Sequence, residues 1–68
     1  MPYVNVQILE GASRQQKAWL VEDITRSLVQ RLDKKPEHIH IVIQDVPASN
    51  WGFEGKLTDE RLPAARLE

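Results

Sequence analysis

Two short stretches of the chain alternate apolar with polar residues, and a longer one between them repeats apolar residues at spacings of three and four. In the first, Val4, Val6 and Ile8 alternate with Tyr3, Asn5 and Gln7, the period of a half-buried strand, and Gly11 stops it. In the last, Ile39, Ile41 and Ile43 alternate with His40, Val42 and Gln44, which predicts a strand from Ile39 to Val46. Between them Val21, Ile24, Leu28 and Leu32, flanked by Ala18 and Leu20, form a broad apolar stripe, while Glu22, Asp23, Arg26, Gln30 and Arg31 fill the other faces. Ser13, with Gln16 three residues on, is a capping-box pair, so the helix runs from Arg14 to about Leu32. Asp33-Lys34-Lys35-Pro36 ends it, because residues before proline avoid the helical region. Glu37-His38 forms one turn before the second strand.

Strand, helix, strand within one short run is a βαβ unit, so the strands are expected to be parallel with a right-handed crossover. Pro47-Ala48-Ser49-Asn50 is a turn cluster, and Trp51-Gly52-Phe53-Glu54-Gly55 reads as a tight hairpin or a close backbone approach. Lys56 to Arg66 is polar, contains Pro63, and is expected to be an extended or loosely helical tail. The predicted fold class is therefore α/β (α+β): one domain over residues 1–68, two parallel strands per chain and a short C-terminal hairpin. One helix covers only one side of such a sheet, yet Tyr3, Leu9 and Val42 put apolar groups on the other. That favours a partner chain.

Size points the same way. Ordering 68 residues costs roughly 1.5 kcal/mol each, about 100 kcal/mol in all, and a core this small barely offsets it. With no cysteine there is neither a disulfide staple nor a thiolate metal cluster, so oligomerisation is the expected route to stability. The formal net charge of -1 and the lack of a basic stripe argue against nucleic acid, and against a toxin–antitoxin module. No signal peptide or membrane-length apolar run is present, so no membrane association is expected and the cytoplasm is the default.

The candidate chemistry lies at the start. Met1 before the small Pro2 is a substrate for aminopeptidase trimming, which leaves Pro2 as a free secondary amine at the head of a strand. A free α-amino group has a reference pKa of about 7.7–8.0, and burial lowers the pKa of a cation. A rigid, partly desolvated amine of this kind can act as a general base. With Met1 attached, Pro2 is a tertiary amide with no basic nitrogen. Many chains begin Met-Pro without any such chemistry, so the dipeptide alone is a weak signal.

The wider stretch is more specific. Pro2-Tyr3-Val4-Asn5-Val6-Gln7-Ile8-Leu9-Glu10-Gly11 followed by Gln16-Lys17 resembles the start of the 4-oxalocrotonate tautomerase family. The resemblance runs without gaps through Leu32-Asp33 and on to Asn50-Trp51-Gly52-Phe53-Glu54-Gly55, most of the chain. It implies a cofactor-independent enzyme in which Pro2 is a general base, then a general acid, moving a proton between carbons of an unsaturated α-keto acid. It also implies a dimer whose two βαβ units share a four-stranded sheet, three such dimers making a hexamer, and a hairpin that pairs with a neighbouring subunit. The family stabilises the developing negative charge with two arginines. In this chain those positions are Ala12 and His40, and only the hairpin aromatic is kept, as Trp51. The substrate-binding candidates are His40, Trp51, Leu9 and Arg14. Arg14 opens the helix near the lost arginine. His40 serves either as an ordinary strand histidine or as a substrate contact, cationic when protonated and a single donor when neutral.

Other candidates carry less. His38 lies two residues before His40 on the same face, but two histidines are too few for a metal site. Trp19 reads as a helix-packing or subunit-interface aromatic, and Lys17, Lys34, Lys35 and Lys56 as solvated charges. The preferred function is a tautomerase-like isomerase with altered specificity, poor towards dicarboxylates. The alternative is a non-catalytic oligomeric scaffold or small-ligand-binding protein that has lost both arginines.

Overall fold

In the computed structural model, residues 1–61 are described; most of the tail expected between Lys56 and Arg66 lies outside them. The elements follow the order β1 (Tyr3–Leu9), α1 (Arg14–Leu32), β2 (His40–Val46), β3 (Gly52–Phe53), β4 (Lys56–Leu57) and α2 (Thr58–Arg61), with 3-10 turns at Pro36–His38 and Ala48–Asn50. β1 and β2 pair in parallel with Tyr3 opposite His40, Val6 opposite Ile43 and Leu9 opposite Val46. β3 and β4 form a separate antiparallel hairpin.

Local sequence accounts for each boundary. Glu10 and Gly11 turn the chain out of β1, and Gly11 takes φ 129°, a conformation that favours glycine. Ser13 then caps α1: its hydroxyl accepts from the Gln16 N–H at 3.1 Å while the Gln16 side chain accepts from the Ser13 N–H at 2.9 Å. The helix stops earlier than proline alone requires. Asp33 adopts the left-handed conformation, φ 55°, three residues before Pro36. Lys35, the residue that the proline does restrict, is extended, and Pro36 opens the 3-10 turn. That turn takes up His38, and Ile39 caps it, so β2 starts at His40 and not at Ile39.

The half-buried residues of α1 are Lys17, Leu20, Val21, Ile24, Thr25, Leu28 and Val29. The stripe is thus rotated from the predicted one, leaving Ala18 and Leu32 exposed. Parallel register places Val4, Val6, Ile8, Ile41, Ile43 and Asp45 on one side of the sheet, and there Asp45 forms an ion pair with Lys17 of α1. Lys17 is therefore not the freely solvated charge expected.

The other side of the sheet carries Tyr3, Asn5, Gln7, Leu9, His40, Val42, Gln44 and Val46, none of them Lys, Arg, Asp or Glu. It is bare in the single chain: Tyr3 is 62% exposed and Val42 43%. Gln7 and Gln44 satisfy each other across it, with Gln7 Nε2 donating to Gln44 Oε1 at 2.9 Å. Among the described residues no large side chain is fully buried, and the buried ones are Ala48 and Thr58. The radius of gyration of 15.1 Å exceeds the roughly 11 Å of a compact chain this long. Such an uncharged, half-apolar face, on a chain whose described residues bury no large side chain fully, is where the expected partner chain would pack.

A charge at the centre of that face tests this. Val42→Glu places a carboxylate where the partner would bury it unpaired, an outcome costing several kcal/mol. Sedimentation of the variant at micromolar concentration is expected to shift from oligomer towards a poorly folded monomer. Sedimentation identical to the parent, or a parent that is itself a stable monomer, contradicts the assignment.

Candidate active site

β1 and β2 begin at the same end of the sheet, and this juxtaposition locates Pro2. The residue lies immediately before β1, half-buried, and its carbonyl accepts from the His40 N–H at 3.1 Å. Pro2 is thereby tied through its backbone to the first residue of β2. His40 is exposed, on the bare sheet face beside Tyr3. Met1, before Pro2, is 87% exposed. The expected pair of His38 and His40 on one strand face does not form, because His38 belongs to the 3-10 turn. Among the described residues no three of His, Cys, Asp or Glu come together to hold a metal ion.

The remaining candidates lie at the opposite end. Leu9 closes β1, Ala12 and Arg14 follow the turn, and Trp51 lines a cleft of ≈ 290 Å³ with Gln7, Val46, Asn50 and Gly52. From Pro2 to Leu9 is seven strand residues, roughly 23 Å at about 3.3 Å per residue. A wider groove of ≈ 430 Å³ between β1 and α1 includes Ile8, Ala12, Gln16, Lys17 and Trp19. Ala12 stands there with no charge of its own, and the nearby Lys17 is already paired with Asp45. A third concavity of ≈ 480 Å³ lies along the hairpin, at Phe53, Lys56 and Glu60 among others. Pro2 lines none of the three. One chain therefore brings Pro2 and His40 together and holds Leu9, Arg14 and Trp51 a sheet-length away.

Trp51 is held by Thr58, a residue that carries neither periodicity nor charge to mark it. Thr58 donates its hydroxyl to the Trp51 carbonyl at 2.7 Å and its backbone N–H to the same oxygen at 2.8 Å. The turn at Ala48–Asn50 is fixed in its turn by Glu10, whose carboxylate accepts from the Ala48 N–H at 3.3 Å, and whose own N–H donates to the Val46 carbonyl at 3.0 Å. Thr58 was discoverable: a threonine followed by Asp59 and Glu60 is a helix-start signature.

A family model described as "Tautomerase enzyme" matches residues 2–61. The chain belongs to the tautomerase family. It is 38% identical over 55 residues to the 2-hydroxymuconate tautomerase of Comamonas testosteroni, covering 81% of this chain and 87% of that one. Two solved tautomerase homologues share its fold. TomN, a 4-oxalocrotonate tautomerase homologue in the tomaymycin biosynthetic pathway, is 30% identical with a TM-score of 0.85, over 88% of this chain and 92% of that chain. A heterohexamer 4-oxalocrotonate tautomerase from Chloroflexus aurantiacus is 28% identical with a TM-score of 0.83, over 88% and 97%. The expected βαβ unit with a C-terminal hairpin is thus both observed and shared with these tautomerase neighbours, and family membership supports a tautomerase or isomerase-like role.

Proposed function

We propose that this chain is a cofactor-independent tautomerase whose base is the Pro2 amine, freed by loss of Met1, acting on an unsaturated keto acid or enol in a site completed by a neighbouring chain. The observation that carries the reading is the Pro2 carbonyl bonded to the His40 N–H, which seats the proline at the edge of an uncharged sheet face. The match to the family model from residue 2 supports it.

The chemistry is a balanced proton transfer. The neutral Pro2 nitrogen takes a proton from the substrate's hydroxyl or from the carbon next to its carbonyl. The released electron pair delocalises into a dienolate, and the prolinium returns the proton to a different carbon. No external oxidant or reductant is needed. Charge accumulates on the enolate oxygen, where the His40 ring supplies a donor or a cation. Trp51, brought in from a neighbouring chain with Leu9, forms the apolar wall. A ring of chains joined through the bare sheet face does this, and the hexameric relative supports six as the number.

Specificity follows from what is missing. A dicarboxylate dienol needs a cation or a donor cluster at each end, and Ala12 can bind neither. Losing a charge-assisted hydrogen bond costs about 1.5–3 kcal/mol, roughly 10- to 150-fold in kcat/KM for each contact. The preferred substrate is then a monocarboxylate or an aromatic enolpyruvate held by its apolar part against Trp51. Absence of both arginines also favours the second reading, a scaffold or small-ligand-binding protein with the family's fold and no turnover.

Two outcomes separate these readings. In chains whose intact mass shows that Met1 has been removed, Pro2→Ala is expected to lower tautomerisation of phenylenolpyruvate by about 10²-fold or more. Full activity in that variant excludes the proline, and no activity in the parent favours the scaffold. Secondly, Ala12→Arg with His40→Arg is expected to raise kcat/KM for 2-hydroxymuconate more than for phenylenolpyruvate. Efficient turnover of the dicarboxylate by the unaltered chain would mean that another cation, such as Arg14, already serves it.

A further inference from the structure

Thr58 is 2% exposed, and among the described residues Ala48 alone is also buried. Its hydroxyl and its backbone N–H both donate to the Trp51 carbonyl, at 2.7 and 2.8 Å. A carbonyl oxygen has two lone pairs, and here one residue takes both. A single bond already satisfies a buried carbonyl, so the second contributes direction more than rescue from an unmet bond. The Trp51 N–H donates to the Ala48 carbonyl at 3.4 Å, so the backbone of Trp51 is restrained on both sides.

The next residue explains why restraint is needed. Gly52 does not adopt positive φ, and a Cβ placed there would lie 3.5 Å from the Lys56 carbonyl oxygen, an ordinary contact. Neither turn geometry nor lack of space demands glycine. Glycine lacks the side chain that would limit rotation of the peptide shared with Trp51, so that peptide relies on the hairpin pairing opposite Leu57 and on Thr58. The Thr58 hydroxyl restores that limit from outside the segment.

We infer that Thr58 is a positioning residue for Trp51: its two-donor clamp sets the angle of the indole over the cleft beside Gln7 and Val46, and with it the grip on the apolar part of the substrate. The inference rests on the reading of Trp51 as the apolar wall. A clamp of this kind governs binding of flat, aromatic enols more than of small aliphatic ones, because only a large planar group is sensitive to the tilt of the indole.

The test uses the trimmed, assembled protein carrying Trp19→Phe, which leaves Trp51 as its sole tryptophan. Thr58→Val keeps the backbone donor and nearly the same shape but removes the hydroxyl; Thr58→Ser keeps the hydroxyl and removes the methyl. Thr58→Val is expected to lower the fluorescence anisotropy of Trp51 and to raise KM for phenylenolpyruvate about 3- to 10-fold, the scale of one neutral hydrogen bond, with kcat little changed. Thr58→Ser is expected to recover both. Thr58→Ala repeats the comparison if valine disturbs packing. Unchanged anisotropy in Thr58→Val, or a serine variant as loose as the valine one, overturns the clamp. A Trp51→Ala chain with unchanged KM instead overturns the substrate role of the indole, and the consequence for binding with it.

Discussion

Parallel pairing of β1 with β2, Tyr3 opposite His40, decides where every other group stands. It brings the two strand starts together, so Pro2 meets His40 through a backbone bond. It sends Leu9 and Val46 to the far end, where the turn into α1 and the hairpin emerge. It also leaves one helix to cover one side. The uncovered side is uncharged and partly apolar, and the chain buries no large side chain completely among its described residues. His40 lies on that uncovered side, and Pro2 is bonded to its backbone at the end of the sheet, so the proposed site and the proposed interface adjoin.

The fold was legible because each element carries its own local signal. Alternation marked both strands, the Ser13–Gln16 box marked the helix start, and their order required a parallel unit. The misplacements have physical causes. Spacing alone gives the width of a helix's apolar stripe but not its rotation, which is set by packing; Thr25 and Val29 face inward while Ala18 and Leu32 do not. The helix ends where expected, at Leu32, but the left-handed Asp33 sets that end and not the proline three residues on. Lys17 looked like one more surface charge because its partner, Asp45, is 28 residues away along the chain.

The site was legible only as a set of residue types. Pro2, His40 and Trp51 could be named from the sequence with the help of the family resemblance, but not their separation across one chain. Distance between two ends of a strand follows once the strand is placed; which chain fills the gap does not. Thr58 escaped because its importance lies in two bonds to one carbonyl, a feature without periodicity or charge. Ala12 stands where the family resemblance implies an arginine, and a missing cation reveals what cannot be bound more clearly than what is.

The central claim is that proton transfer at Pro2 takes place in a site shared between chains. Mixing two impaired variants tests it directly. Pro2→Ala and Trp51→Ala chains, each weakly active alone, are unfolded together, refolded and assayed with phenylenolpyruvate after both have been checked for loss of Met1. If each site takes its proline from one chain and its indole from another, random assembly rebuilds roughly a quarter of the sites intact, and activity rises well above that of either variant. Activity no higher than the average of the two variants, in particles shown to contain both chains, contradicts a shared site.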